Sequence, residues 1–480
     1  MGRQAGEQVK YSDLQYLTVG LPEDIEKLKW YGDFERAEKV INMRLEKDIP
    51  EALRKRLNLE KWILKRMPLE YVYTEEEALK LLQETLEGVT AEEMERLRDE
   101  GSAEWIFVRG QVRYKDDFLE NLLKTRTELW PRLKDPSRVK GRIEGSRLLD
   151  ETVRAMKEKG GLAYRMRVRA SLRLERQGDR AGACIKVHLP VPVEQGQMRH
   201  VRLLGTSMEP VSVAPAEYPQ RTVYMEAGSE EGKEFWAEYE LENHTRYVSL
   251  ENAGSENEPG ASGESGENQK GEAALYLGEQ LPHIRFTPYL RALTEQVAGE
   301  ETNPLRKARR IYDYITAHVM YSFVRQYSTI ANLPEYMAAG LKGDCGIYAL
   351  LFITMCRIAG VPAKWQSGLY ATPLDIGCHD WAQFYAEPFG WLYADCSFGG
   401  AAYRAGAMER WNFYFGNLDP FRIVLCTRFQ HEFQPPKTFL REDPYDNQVG
   451  EAEYKDRETE AGEYKTMQQM LEIQEICLEI

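Results

Sequence analysis

Cys345, His379 and Asp395 are the residues whose types and surroundings could do covalent chemistry. Cys345 stands in "GLKGDCGIYALLFITMC", directly after Gly-Asp and before an apolar run that Gly360 and Pro362 close. Ile347, Leu350, Leu351, Phe352, Ile353, Met355 and Ile358 make that run apolar on nearly every side, so the pattern predicts a buried helix with Cys345 in its first turn. Unpaired backbone N–H groups and the positive end of the helix dipole lower a thiol's pKa at such a place. A cysteine judged alone is as readily a small core hydrophobe. Downstream, "HDWAQFYAE", the turn "PFG" and "WLYADCS" alternate as two strands of a hairpin, His379 near the start of the first and Asp395 near the end of the second. An apolar helix packed on that hairpin brings Cys, His and Asp together as nucleophile, general base and orienter. The chemistry such a set performs is acyl transfer through a thiol.

Other constellations read as structure. Cys345, Cys378, His379 and Cys396 have metal-ligand chemistry, but Cys378 and His379 are adjacent on a strand and point to opposite faces. The seven cysteines are spread widely, with no C-x-x-C pair, so neither a disulfide framework nor a zinc site is expected. The arginines at 165, 167, 169 and 173 line one face of a strand and read as its solvated side. The glycines at 160–161 and 399–400 lack phosphate-loop spacing and read as turns, and no cofactor is expected. The aromatics of "RWNFYFGNLDPFR" read as core or rim packing.

Several elements must position the three residues. The chain has 480 residues, 42% of them hydrophobic and 11% aromatic, enough for two or three domains with real cores. Its formal charge of −14 disfavours nucleic acid and anionic membrane as partners. The N-terminus has no apolar signal region and no stretch has the length of a membrane span, so a cytoplasmic location is expected. Residues 1–155 carry a helical pattern, with capping boxes at Thr74/Glu77 and Thr90/Glu93 and a hairpin around Gly110. The period changes to two near Leu162, and residues 160–250 read as a β-sandwich-like domain. Residues 251–274, rich in Gly, Ser, Glu and Asn, read as a flexible linker. Residues 275–440 form the unit that holds Cys345, His379 and Asp395, and 441–480 read as a charged tail with a terminal helix.

"GDCGIYALLFITMCRIAGVPAKWQSG" resembles the nucleophile helix of the transglutaminase-like superfamily, and "HDWAQFYAEPFGWLYADCS" its His-x-Trp and Gly-Trp…Asp strands. "TPYLRALTEQVAGEETNPLRKARRIYDYITAHVMYS" is similar to the helical lead-in of the same domain. The resemblance covers residues 275–400 and implies a papain-like α+β domain at the C-terminal end of an α+β multidomain chain. It makes Cys345 the nucleophile, His379 the base, Asp395 the orienter and Trp381 the family's packing Trp. The family's second oxyanion donor is usually a side chain upstream of the nucleophile, for which Tyr321 in "VMYSF" is the candidate. Cys396, after the Asp, departs from the Pro or small residue of many relatives. The implied activity is attack on an amide in a peptide or protein, expected to end in hydrolysis. Protein-glutamine cross-linking, a catalytically silent peptide-binding module and a glycan-releasing amidase remain open.

Overall fold

The computed structural model describes residues 8–175, 182–250 and 264–479, the side chains of 264–268 excepted. The chain divides into two compact units. One holds Met1–Glu144, Gln280–Arg285 and Met320–Asp344, the other Gly145–Glu279, Phe286–Val319 and Cys345–Ile480.

In the first unit, interleaved charged and apolar residues form α1 (Glu23–Tyr31), α2 (Phe34–Leu45), α3 (Glu51–Arg66), α4 (Glu75–Thr85) and α5 (Ala91–Asp99). The Thr74 hydroxyl accepts from Glu77 N at 3.1 Å and the Glu77 carboxylate accepts from Thr74 N at 2.8 Å, a reciprocal cap on α4. Thr90 accepts from Glu93 N at 3.2 Å, but the Glu93 carboxylate turns to Arg132. The hairpin of β1 (Trp105–Val108) and β2 (Gln111–Tyr114) turns at Arg109 and Gly110, both at positive φ. Asn121 of α6 (Phe118–Thr125) ties in the later segment: Nδ2 donates to Ser102 O at 2.6 Å and Ser322 Oγ at 3.1 Å, and Oδ1 accepts from Phe323 N at 2.9 Å. Lys29 and Arg56 both pair with the buried Glu60, so its charge is balanced.

After α7 (Lys140–Lys159) come β3 (Gly161–Leu174), β4 (Cys184–Pro190), β5 (Met198–Thr206), β6 (Ser212–Val213), β7 (Thr222–Gly228) and β8 (Glu234–Arg246). Helices α8 (Glu264–Ala274), α9 (Pro288–Ala298) and α10 (Pro304–His318) follow. The first unit's β9 (Met320–Tyr321), α11 (Leu333–Gly340) and β10 (Lys342–Gly343) are next, then α12 (Cys345–Ile358). β11 (Ala363–Ala371), β12 (Ile376–Ala386), β13 (Gly390–Ala394), α13 (Cys396–Arg404) and α14 (Met408–Phe413) lead to the final strands. Those are β14 (Phe415–Gly416), β15 (Arg422–Cys426), β16 (Glu451–Tyr454) and β17 (Tyr464–Ile476).

Among the described residues the second unit has two four-stranded sheets, β16-β4-β7-β6 and β17-β3-β8-β5, and a five-stranded sheet β14-β13-β12-β11-β15. Met166, Val168, Ala170 and Leu172 of β3, with Ile185, Val187 and Leu189 of β4, are fully buried, as the inner faces of a sandwich require. Three of the arginines of β3 are paired across the ladder with β8, Arg165 with Glu242 at 2.7 Å, and Arg167 and Arg169 with Glu238, the latter at 3.0 Å. Asn243 Nδ2 of β8 donates to the carbonyls of Pro420 and Arg422 at 2.7 and 2.8 Å, fastening the sandwich to the strand that carries Arg422. No helix among the described residues is long and apolar enough to cross a membrane.

Three expectations are corrected. The charged tail does not form a helix: β16 and β17 add a strand to each sheet of the sandwich, β17 pairing along β3 from Tyr464↔Leu174 to Ile476↔Ala163. A bulge between Met470 and Glu472 leaves the inward-leaning Met470 and Ile473 three apart, a spacing that imitates a helix. Of the linker, 251–263 lie outside the described residues, whereas Glu264–Ala274 is helical and docked, with Lys364 on Glu272 at 2.7 Å and Ala273 buried. Gly399 and Gly400 lie inside α13, not in a turn. A Cβ at Gly399 would stand 1.9 Å from the Tyr312 hydroxyl, so glycine is what lets α13 approach α10.

Candidate active site

Cys345 is the first residue of α12, whose Ile347, Leu350, Leu351, Phe352, Ile353 and Met355 are completely buried. The helix packs on β12, Phe352 meeting Phe384 edge to face at 5.7 Å, and Gly360 ends it at φ +80°. β12 and β13 pair from Ala386↔Gly390 to Ala382↔Ala394, which sets Asp395 beside the His379 end of β12.

His379 Nε2 is 2.8 Å from Asp395 Oδ2. The imidazole, 4% exposed, lies against Phe398 at 4.5 Å and stacks over Trp381 at 6.0 Å. Trp381 is wholly buried, and its Nε1 donates to Gln366 Oε1 at 2.7 Å, which fixes the indole beneath the imidazole. Gly368 is the β11 partner of His379. A Cβ there would fall 2.0 Å from Ile423 O, so the close approach of β15 to β11 at this point requires glycine.

Asp395 is fully buried and caps α13, Oδ1 accepting from Phe398 N at 2.9 Å and Ser397 Oγ at 3.1 Å. Its Oδ2 is also 3.1 Å from Arg422 Nη2, which is itself 2.8 Å from Asp419. Burial works to raise the Asp395 pKa, but His379, Arg422 and the hydrogen bonds outweigh it and hold the carboxyl below the usual carboxylate range. Two buried carboxylates against one guanidinium leave a net negative charge that an imidazolium at His379 would neutralise.

The Cys345 thiol donates to Asp380 Oδ2 at 3.1 Å. Gln448 Nε2, from the chain beyond β15, donates to Asp380 Oδ1 at 2.8 Å and to His379 O at 3.1 Å. Asp446, two residues before it, accepts from Ser367 Oγ at 2.6 Å. Burial raises the Asp446 pKa, and a hydrogen bond to the Asp380 side chain offsets part of that rise.

Tyr321 belongs to the first unit, on β9, which runs parallel to β10; its hydroxyl is 3.4 Å from Lys124 Nζ. Cys396 is buried, and burial pushes its thiol well above the ordinary value. Among the described residues no three His, Cys, Asp or Glu side chains cluster as a metal site would need.

Sequence reasoning missed Asp380, Gln448, Arg422 and Asp419. Asp380 had a signal, a charged residue inside an otherwise apolar strand next to His379. Arg422 had another, an arginine in "DPFRIVLC" three residues after Asp419.

Residues 291–396 match the model of the transglutaminase-like superfamily. An uncharacterized protein of Haemophilus influenzae is 26% identical over 141 residues, 24% of this chain and 37% of the Haemophilus protein, so the chain spans little more than a third of that relative. Among solved structures, a candidate cysteine protease from Cytophaga hutchinsonii is 13% identical with a TM-score of 0.40, over 67% of this chain and 92% of that one. The periplasmic domain of TgpA from Pseudomonas aeruginosa is 13% identical with a TM-score of 0.27, over 55% of this chain and 94% of that one. The stretch 291–396, which contains Cys345, His379 and Asp395, is a transglutaminase-like domain within a longer α+β chain.

Proposed function

We propose that the chain is a cysteine amide hydrolase acting on a peptide or protein, with Cys345 as nucleophile, His379 as base and Asp395 as orienter. The observation that carries this reading is the 2.8 Å contact between His379 Nε2 and a buried, ionised Asp395. It fixes the ring and leaves Nδ1 as the nitrogen to exchange a proton with the thiol. His379 takes the Cys345 proton as sulfur attacks the amide carbon, then passes it to the departing amine. The resulting thioester is cleaved by water, whose proton returns through His379 to the thiol. The backbone N–H of Cys345, at the helix start, faces the developing oxyanion.

The test supplies the purified protein with a glutamine-containing protein and excess labelled primary amine. New termini or released ammonia, lost in Cys345→Ala, support the hydrolase. Stable Cys345-dependent amine incorporation replaces it with a cross-linking enzyme. A silent peptide-binding module has one observation in its favour, the thiol's hydrogen bond to the Asp380 side chain, which favours the protonated sulfur. That module requires Cys345 to react with iodoacetamide no faster than Cys378 and Cys477, which are exposed.

A further inference from the structure

Within the second unit, a cavity of about 780 Å³ lies between the sheet that carries His379 and the sandwich. Its size falls in the range of roughly 300–1000 Å³ typical of pockets that enclose a small ligand. Gln383 of β12 is in its wall, on the same strand face as His379 and four residues further on, about 13 Å away at ~3.3 Å per residue. The cavity is therefore a separate site on the same strand.

Its wall holds donors without acceptors. Gln197, 7% exposed, accepts from the Tyr393 hydroxyl through Oε1, and its Nε2 has no hydrogen-bond partner. Trp391 Nε1, also in the wall, has none either. Buried N–H groups of this kind are rare in native proteins and call for a partner. Four basic side chains line the cavity. Lys364 is paired with Glu272 at 2.7 Å and Arg199 with Glu479 at 3.3 Å, whereas Arg246 and Arg428 carry no ion pair among the described residues. Of the two wall glutamates, Glu217 and Glu272, the second is already engaged by Lys364. In a chain of net charge −14, two unpaired guanidinium groups beside two unmet N–H donors form a local patch of opposite sign.

We propose that this cavity binds a short acidic peptide in extended form. Backbone carbonyls accept from Gln197 Nε2 and Trp391 Nε1, acidic side chains meet Arg246 and Arg428, and the edge-to-face pair of Tyr276 and Trp391 at 5.6 Å supplies an apolar surface. The two uncharged donors suit carbonyl acceptors and the two guanidinium groups suit carboxylates, a combination that an acidic peptide supplies in one molecule. The site does not depend on the chemistry assigned to Cys345.

The experiment uses the full chain carrying Cys345→Ala, so that turnover cannot consume the probe, and follows fluorescein-labelled tetraglutamate by anisotropy. Tetraglutamine and inorganic phosphate serve as competitors. Tetraglutamate is expected to bind at least about tenfold tighter than tetraglutamine, and phosphate to displace it only at much higher concentration. The double variant Arg246→Gln, Arg428→Gln, both exposed positions, should bind tetraglutamate roughly tenfold to hundredfold more weakly with an unchanged melting temperature. Arg36→Gln, exposed in the first unit, should change nothing. Equal affinity for the two peptides, or undiminished affinity in the double variant, overturns the proposal. Displacement by phosphate at the peptide's own concentration overturns the peptide in favour of a free anion. Because the Cys345→Ala chain is the one tested, a failure of the hydrolase reading leaves these outcomes unaffected.

Discussion

Arg422 and Asp395, both without solvent exposure, meet at 3.1 Å, and the same guanidinium nitrogen is 2.8 Å from Asp419. The carboxylate that holds His379 is thus also half of a buried ion pair. Asp395→Asn keeps an acceptor for Phe398 N but leaves Arg422 with Asp419 alone. The expected outcome is a double loss: turnover lower by on the order of 10³ to 10⁴, and a native state less stable by about 1–3 kcal/mol. The folded pKa of Asp395 lies below its unfolded value, so its contribution is fully present above the unfolded value and disappears as pH falls through the folded one. Melting scans from neutral pH downward should therefore show a steeper acid loss in wild type than in Asp395→Asn. Matching melting temperatures at neutral pH would mean that the Arg422 pair contributes nothing.

The thiol of Cys345 rests on Asp380. A carboxylate accepting S–H stabilises the protonated sulfur and opposes the thiolate that the helix N-terminus favours. Removing that charge in Asp380→Asn should speed alkylation of Cys345 by iodoacetamide at neutral pH several-fold, read by mass spectrometry against Cys378 and Cys477. In the same assay His379→Ala should slow it. Slower labelling in Asp380→Asn would assign Asp380 the opposite role, support of the reactive thiol.

The parts of the site that were legible in the sequence are those made by neighbours in the chain. Gly360 and Pro362 stop the helix that Cys345 starts, and a three-residue turn is enough to set His379 beside Asp395, so local signals suffice. What was not legible depends on distant pairing. Arg422 reaches Asp395 only because β15 joins the far side of β11, and Gln448 reaches Asp380 only because the chain returns past that edge. β17 was hidden by its bulge, which breaks the period of two between Met470 and Glu472. Gly399 read as a turn because nothing near it in sequence announces Tyr312, 87 positions earlier in the numbering of this chain.

That glycine gives a direct test of how closely α10 and α13 pack. Tyr312 is fully buried and its hydroxyl donates to Trp411 O at 2.7 Å, so it cannot swing aside without losing a buried hydrogen bond. Gly399→Ala gains helix propensity, about 1 kcal/mol, yet inserts a methyl where the Tyr312 oxygen stands. Overpacking of this kind costs typically about 1–3 kcal/mol. A net fall in melting temperature is expected, and Gly399→Ala combined with Tyr312→Phe should recover part of it. A stabilised single variant would mean that the two helices have room to part.

Glu451 carries the clearest acid dependence in the C-terminal segment. It is 4% exposed, with Lys437 at 2.8 Å, Arg441 at 2.9 Å and Glu442 N donating to it at 2.9 Å. Burial alone would raise its pKa, but the two cations prevail and the carboxyl falls to about 2. A folded pKa depressed in this way gives stability that is complete above the unfolded value and is lost as pH falls toward about 2. The contribution at neutral pH is on the order of 3 kcal/mol. Glu451→Gln removes the charge at every pH and leaves Lys437 and Arg441 buried without it, so the variant should be less stable at neutral pH by about 3–5 kcal/mol. As pH falls from the ordinary carboxylate range toward about 2, the wild type should lose stability faster than the variant, and the two denaturation midpoints should converge. Parallel midpoint curves across that window would show that the cations, not the Glu451 charge, hold β16 against β4.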